Sequence, residues 1–281
     1  MIKKVLIIIN ITKDDSMNLA REISIWLKDK SIDCEFISFD GFCDNSPVIG
    51  YDLVITLGGD GTVLWAARNC LEADIPVFPV NLGQFGFIAT VEPKNWKKAL
   101  TAVLKDKAVY SYRGMTLTKV IRNDKVVYTS YALNDTVISA EKTATTINLN
   151  ITYNGSPLCD LKSDGVIFST STGSTAYSAA AGGPIVSPEL NAVVMTPINS
   201  FSLSSRPIVL NPDGEIAIKV EKSRTKEINL IVDGQEPFSL LTEDVVTVCK
   251  AKKEAKLLFS TSENFYNALR SKLNWWGGPH A

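Results

Sequence analysis

The stretch Leu53-Val54-Ile55-Thr56-Leu57-Gly58-Gly59-Asp60-Gly61-Thr62 passes from an apolar run into three glycines around one carboxylate, and continues as the helix-like segment Val63 to Leu71. A strand that turns through glycines into a helix presents free backbone N–H groups at the helix N-terminus, where phosphate oxygens bind well. Gly58, Gly59 and Gly61 allow the backbone to approach a polyphosphate, and Asp60 is the one side chain in the turn able to accept a proton. Thr62 is placed to cap the helix. The turn therefore predicts phosphoryl transfer with a carboxylate base. It lacks the Gly-Lys-Ser/Thr ending of a P-loop and the spacing of G-x-G-x-x-G, so a phosphate here would lean on backbone and metal rather than on a lysine. The structural alternative is a tight turn in which Asp60 only caps and the glycines only supply positive φ.

Outward from this turn the first part of the chain alternates strand and helix. Val5 to Ile9 reads as a strand, Ser16 to Lys28 as a helix with Leu19, Ile23, Trp26 and Leu27 on one face, and Cys34 to Phe39 as a second strand. Pro76 to Val80 follows the glycine turn and its helix, and a further helix starts near Pro93. Such alternation predicts a parallel sheet flanked by helices, with ligands beyond the carboxyl ends of the strands. From Val109 the pattern becomes period-two, with turns at Asn123-Asp124 and Asn154-Gly155 and strand-like runs continuing to Lys256–Ser260. The segment from Ser262 through Phe265, Leu269 and Leu273 returns to helical spacing and is expected to pack back on the first domain.

Inside the β-rich half, six Ser/Thr residues stand among the seven from Ser169 to Thr175, crossing into the small-residue stretch Ala176-Tyr177-Ser178-Ala179-Ala180. Tyr177 beside Ala176 and Thr175 could sandwich a planar base while hydroxyls and a helix N-terminus take ribose or phosphate. The alternative is a Ser/Thr-rich turn with Tyr177 in the core. Asn134-Asp135, poor strand formers in a β region, could clamp a ribose diol or form a bulge. Asp164-Gly165 and Asp233-Gly234-Gln235 read equally as ordinary hairpin turns.

Composition narrows the classes. The 281 residues are 45% hydrophobic with a formal net charge of -1, enough for two domains and without a positive field for nucleic acid or anionic lipid. Small-molecule partners are expected, with no nucleic acid and no membrane. The apolar run after Lys3 and Lys4 is too short for a signal peptide. Cys34, Cys43, Cys70, Cys159 and Cys249 form no C-x-x-C pair, which argues against disulfides and structural zinc and for a cytoplasmic location. His280 is the single histidine, so carboxylates must carry any acid and base work.

Taken together, Gly58-Gly59-Asp60-Gly61-Thr62, the loop Asn81-Leu82-Gly83-Gln84-Phe85-Gly86-Phe87, Asn134-Asp135 and the run from Asp164 to Pro184 resemble the NAD kinases, in the same order and over most of the chain. The resemblance implies a Rossmann-like α/β N-terminal domain and a β-sandwich-like second domain, with the active site in the cleft between them in a homodimer or homotetramer. It sets the domains at residues 1–106, joined by 263–281, and at 107–262. It implies ATP and NAD as substrates with a divalent cation, Mg or Mn, whose ligands the motifs do not name. By position, Asp60 is the general base, and Gly58, Gly59, Gly61 and Thr62 line the phosphates. Phe85 and Phe87 border the adenine, Asn134 and Asp135 hold NAD, and Lys162 and Asp164 approach its ribose and phosphates. Thr172, Thr175, Ala176, Tyr177, Ser178 and Ala180 surround the bases, with Gln235 a further contact.

The chain departs from the family's pattern at Ser171, where a proline is common, at Ser200-Phe201-Ser202-Leu203 in place of Pro-His-Ser-Leu, and near Thr145, where an arginine is usual. These positions bear on substrate affinity and donor choice. The rival readings are a catalytically silent NAD-binding regulator and a lipid kinase sharing the Gly-Gly-Asp-Gly turn.

Overall fold

The computed structural model describes residues 2–41, 46–83 and 86–275. The chain forms two compact units, Met1–Arg113 with Lys253–Ala281, and Gly114–Lys252.

The first unit begins with β1 (Lys4–Asn10), α1 (Ser16–Lys28), β2 (Asp33–Phe39), β3 (Leu53–Gly58), α2 (Asp60–Cys70), β4 (Val77–Asn81), α3 (Trp96–Leu104) and β5 (Tyr110–Arg113). β1 pairs in parallel with both β2 and β3, and β3 with β4. β1, β3 and β4 are near-continuous apolar runs because both their faces are covered, whereas the edge strand β2 is largely exposed. On one face Val5, Ile7, Ile9, Leu53, Ile55 and Leu57 pack with Ala20, Ile23 and Leu27 of α1 and Trp96, Leu100 and Val103 of α3. Trp26 and Trp96 close that layer edge to face, with ring centroids 5.4 Å apart. Each such aliphatic side chain contributes about 1.5–3 kcal/mol on burial, so this layer fixes the strand ends from which the loops project.

The second unit is antiparallel. Its strands are β6 (Thr116–Arg122), β7 (Lys125–Ala132), β8 (Asp135–Ala140), β9 (Ile147–Tyr153), β10 (Ser156–Ser163), β11 (Gly165–Thr170), β12 (Val193–Ile198), β13 (Ile208–Leu210), β14 (Ile216–Glu221), β15 (Ile228–Val232), β16 (Phe238–Leu240) and β17 (Val245–Lys250), with the one-turn α4 (Tyr177–Ala180) after β11. Two six-stranded sheets, β10-β9-β14-β17-β6-β7 and β13-β12-β11-β8-β15-β16, enclose one core. Alternate residues such as Leu149, Ile151, Ile218 and Val246 of the first meet Ile138, Val166, Phe168 and Leu230 of the second. The expected turns at Asn123-Asp124 and Asn154-Gly155 are formed, all four residues lying at positive φ.

The chain then returns to the first unit through β18 (Ala255–Leu258) and α5 (Ser262–Leu273). β18 pairs in parallel with β4 and antiparallel with β5, completing the order β2-β1-β3-β4-β18-β5. Domain bounds at 106/107 and 262/263 leave β5 and β18 in the second domain. Their pairing with each other and with β4 places both in the first unit instead. A second correction concerns Asp164-Gly165. It joins β10 of one sheet to β11 of the other, so it is a corner between sheets and not a hairpin. A Cβ at Gly165 would stand 2.5 Å from the Ile138 carbonyl.

Candidate active site

Because β2 and β3 lie on opposite sides of β1, the sheet reverses its winding between β1 and β3, and loops beyond their carboxyl ends part to leave a crevice. Gly58 ends β3, Gly59 is the extended residue before α2, and Asp60 is the first helical residue. The Gly59 carbonyl accepts the N–H groups of Thr62 at 3.1 Å and Val63 at 3.4 Å. Thr62 therefore does not cap the helix. It is buried one turn in, where its hydroxyl accepts from Asn10 Nδ2 at 3.2 Å. This packing explains Gly58, since a Cβ there would lie 2.2 Å from Thr62 Oγ1. A Cβ at Gly59 or Gly61 meets nothing within 4 Å. Of the three glycines, these two border open space and Gly58 is required by its neighbour.

The Asp60 carboxylate is held by a loop distant in sequence. Oδ2 accepts the Phe87 N–H at 2.9 Å, and Oδ1 accepts those of Ala89 at 2.9 Å and Ile88 at 3.3 Å. A Cβ at Gly86 would fall 2.0 Å from Oδ1, so the loop closes this tightly only with glycine there. A carboxylate offers about four acceptor positions. Among the described residues three N–H groups donate to it, which leaves one position, on Oδ2. The loop is anchored by the Phe87 ring, whose centroid is 5.9 Å from that of Phe265 in α5, and by the Thr90 hydroxyl, which donates to the Phe259 carbonyl at 2.9 Å. Phe87 thus packs half-buried on the C-terminal helix, with Lys272 Nζ 5.3 Å from its ring centre. Phe85 lies outside the described residues. Beside the loop, adjoining cavities of about 510 and 380 Å³ share Asn81, Gly83 and Pro93.

The second unit gathers another set. Asn134 and Asp135 lie at the entry to β8. The Asp233 carboxylate accepts the N–H groups of Leu133 at 2.9 Å, Asn134 at 2.7 Å and Asp135 at 3.1 Å. From the other side Thr170 N–H donates to the Asn134 carbonyl at 2.8 Å, and the Thr170 hydroxyl to the Leu133 carbonyl. Gly173 packs on the Asn134 backbone, where a Cβ would fall 2.1 Å from the carbonyl oxygen. Asp135 is buried. Burial first, and the neighbouring Asp233 charge second, push its carboxyl up to about 7. Gln235 donates to the Asp233 carbonyl at 3.3 Å, beside this cluster.

The Ser/Thr run forms a turn, one of the two readings its sequence offers. Ser169, Thr170, Ser171, Ser174 and Thr175 all turn their hydroxyls to backbone carbonyls, those of Thr170, Leu133, Leu190, Ser171 and Thr172 respectively. They stitch the turn together, and among the described residues only the Thr172 hydroxyl of the six makes no such bond. The helix that follows is a single turn, too short to supply an N-terminal phosphate site. Ser178 is also internal, sharing a hydrogen bond of 2.9 Å with Thr196. Tyr177 is 47% exposed, so it is no core residue. Thr175 and Ala176 are half-buried and Ala180 is exposed. Lys162 and Asp164 gather at the β10–β11 corner, where Asp164 accepts from Asn199 Nδ2 at 3.1 Å and Lys162 Nζ lies 4.8 Å from the Phe201 ring centre. Sequence reading missed Asn10, Thr170 and the inward role of Asp233. The strand-poor Asn134-Asp135 pair was the nearest signal, since such a segment needs partners for its backbone.

Residues 40–108 match the family description ATP-NAD kinase N-terminal domain, and residues 133–259 match ATP-NAD kinase C-terminal domain. The chain is 45% identical to a Treponema denticola NAD kinase, over 98% of this chain and 97% of that protein. It is 40% identical to the NAD kinase of Treponema pallidum strain Nichols, over 98% and 90%. Among solved structures, a yeast NADH kinase complexed with NADH superposes with a TM-score of 0.88 at 25% identity, covering 99% of this chain and 89% of that one. An Archaeoglobus fulgidus NAD kinase in complex with ATP shares the fold, with a TM-score of 0.75 at 23% identity, over 94% and 96%.

Proposed function

This chain belongs to the ATP-NAD kinase family, and from that premise we propose that Asp60 is the general base of its reaction and that the Asn134–Asp135 cluster holds its NAD. The enzyme transfers a phosphoryl group from ATP to the 2′-hydroxyl of the adenosine ribose of NAD, giving NADP. The observation that carries the role of Asp60 is its hydrogen bonding. Backbone N–H groups of residues 87–89 fix both oxygens, and the acceptor position left on Oδ2 can take the 2′-hydroxyl proton as its oxygen bonds to phosphorus. Gly59 and Gly61, which border open space, are where polyphosphate oxygens can approach the N-terminus of α2. Asn134 and Asp135 offer an amide and a carboxyl to the ribose. Thr172, Ala176 and Tyr177 offer a hydroxyl, a small surface and an exposed ring to the bases.

The divalent cation is proposed as part of the nucleotide substrate. Among the described residues no group of three or more His, Cys, Asp or Glu is arranged to hold a metal. A cation carried on phosphate oxygens would neutralise charge on the transferred group. Replacing Asp60 by Asn tests the assignment, with NADP formation from MgATP and NAD followed by an NADP-specific dehydrogenase. Turnover is expected to fall by roughly 10²-fold or more with NAD binding retained. A variant whose residual rate tracks only lost NAD occupancy would make Asp60 a binding residue.

We also propose a homodimer or homotetramer acting in the cytoplasm on small-molecule nucleotides. In the second unit Phe201 is 74% exposed and Leu203 93% exposed, in the segment that leads into the edge strand β13, and such exposed apolar side chains support self-association. Cys34, Cys70, Cys159 and Cys249 are free thiols, in keeping with a reducing compartment. Among the described residues no helix is long and apolar enough to cross a membrane.

A further inference from the structure

The turn Asp233-Gly234 joins β15 to β16 with both residues at positive φ. A turn of this kind asks only for residues that tolerate the left-handed region. The turns at Asn123-Asp124 and Asn154-Gly155 meet that need with exposed side chains. Asp233 instead is buried and directs its carboxylate onto three consecutive N–H groups, a backbone nest for an anion. Its own N–H returns a bond of 2.9 Å to the Asp135 carbonyl. With Thr170 and Gly173 on the opposite side, the backbone of residues 133–135 is held from both directions. Among the described residues, the side chains of Asn134 and Asp135 have no hydrogen-bond partner.

We infer that Asp233 is the positioning residue of the NAD pocket: it fixes the backbone that presents Asn134 and Asp135, and together with burial its charge sets the pH dependence of NAD binding. The inference rests on the proposed contact of Asn134 and Asp135 with NAD. β11 and β15, the strands flanking β8, carry no titratable side chain, nor does the turn Gly173–Thr175. Asp233 is the charged group acting on Asp135. With the Asp135 carboxyl raised to about 7, the empty pocket at neutral pH divides between its neutral and ionised forms. Ribose hydroxyls donate best to the ionised form. NAD affinity should therefore rise with pH through about 7 and level off above it.

Calorimetric titration with NAD from pH 5 to 9 tests this on the full-length protein, in wild type and in Asp233→Asn, Asp135→Asn and Asn134→Ala. Asp233→Asn should weaken the high-pH plateau by roughly tenfold, through a poorer acceptor for three N–H groups. It should also move the inflection to lower pH, because a like charge is removed while burial remains. In Asp135→Asn the inflection should vanish. An Asn134→Ala variant that binds NAD normally would overturn the pocket assignment itself. Weakened binding in Asn134→Ala, with plateau and inflection both unmoved in Asp233→Asn, would overturn only the role of Asp233. Should Asp233→Asn not fold, Asp233→Glu, which keeps the charge but displaces the carboxylate, decides: a weakened high-pH plateau supports the inference, and NAD binding equal to wild type at every pH overturns it.

Discussion

Asp60→Asn preserves size but not bonding. The side-chain amide offers one oxygen where two had accepted three N–H groups, and its NH₂ turns a donor toward residues 87–89. Besides the loss of turnover, urea unfolding should show a stability loss of about 1–3 kcal/mol from the unpaired N–H. Unchanged stability would mean the loop does not hold Asp60 in solution. Asp135 should behave in the opposite sense. Its carboxyl titrates near 7 in the folded chain and near the ordinary value of about 3.9 unfolded. Between those values the folded state binds more protons, so this group's contribution to stability falls as pH rises through the window from about 4 to 7. Asp135→Asn should remove that fall and make the ligand-free protein more stable above pH 7, by no more than about 4 kcal/mol, while weakening NAD binding. Thermal melts at pH 5 and 8 check it, and equal pH dependence in both proteins would refute it. The position of Asp60 at the turn from β3 into α2 was legible from its setting among glycines. The donors that hold it, 27 to 29 residues away, and the carboxylate that holds Asn134-Asp135, 98 to 100 residues away, were not. Backbone N–H groups carry no residue type to mark them.

At the scale of single elements, the glycine turn separates into parts with different duties. Gly58→Ala drives a Cβ against Thr62 and should cost about 1–3 kcal/mol through displacement of a buried side chain. Gly61→Ala meets open space inside the first turn of α2, so the ligand-free protein should lose nothing and gain a few tenths to about 1 kcal/mol of helix propensity. Yet its KM for ATP should rise if phosphates come this close. Parallel melts and ATP titrations distinguish the two. An ATP KM unchanged in Gly61→Ala would remove that glycine from the phosphate site. Strand and helix identities along this part were legible because aliphatic period and glycine placement act locally. The Ser/Thr run left two readings open for a physical reason. Hydroxyls look alike in sequence whether they face a ligand or close a turn, and here five of six return to backbone carbonyls.

For the molecule as a whole, the chain leaves the first unit after Arg113 and returns at Lys253, so one unit is contiguous and the other is not. The return was expected from the helical spacing after Ser262, but the period-two pattern from Val109 onward gave no sign that β5 and β18 belong to the first unit, because edge pairing in one sheet and in another produces the same alternation. The second unit owns a complete sandwich core, and Gly114–Lys252 expressed alone should melt cooperatively. A chain ending at Lys252 lacks β18, the strand bridging β4 and β5, and its first unit should show no cooperative transition. The proposed self-association supplies the last prediction. β13 is an edge strand with Ile208 39% and Val209 50% exposed, and unpaired edges bearing apolar side chains favour pairing with another chain. Phe201 and Leu203, in the segment between β12 and β13, are also exposed, and a second copy of this chain supplies the same groups in return, as a two-fold interface requires. Leu203→Asp combined with Val209→Lys places charge where water already reaches, so each monomer's melting should change little. The assembly should weaken by at least roughly tenfold in its dissociation constant, through buried unpaired charge. Light scattering across a concentration series reads both proteins. A wild type that is monomeric at high micromolar concentration refutes self-association, and a variant that assembles as tightly as wild type moves the interface away from β13.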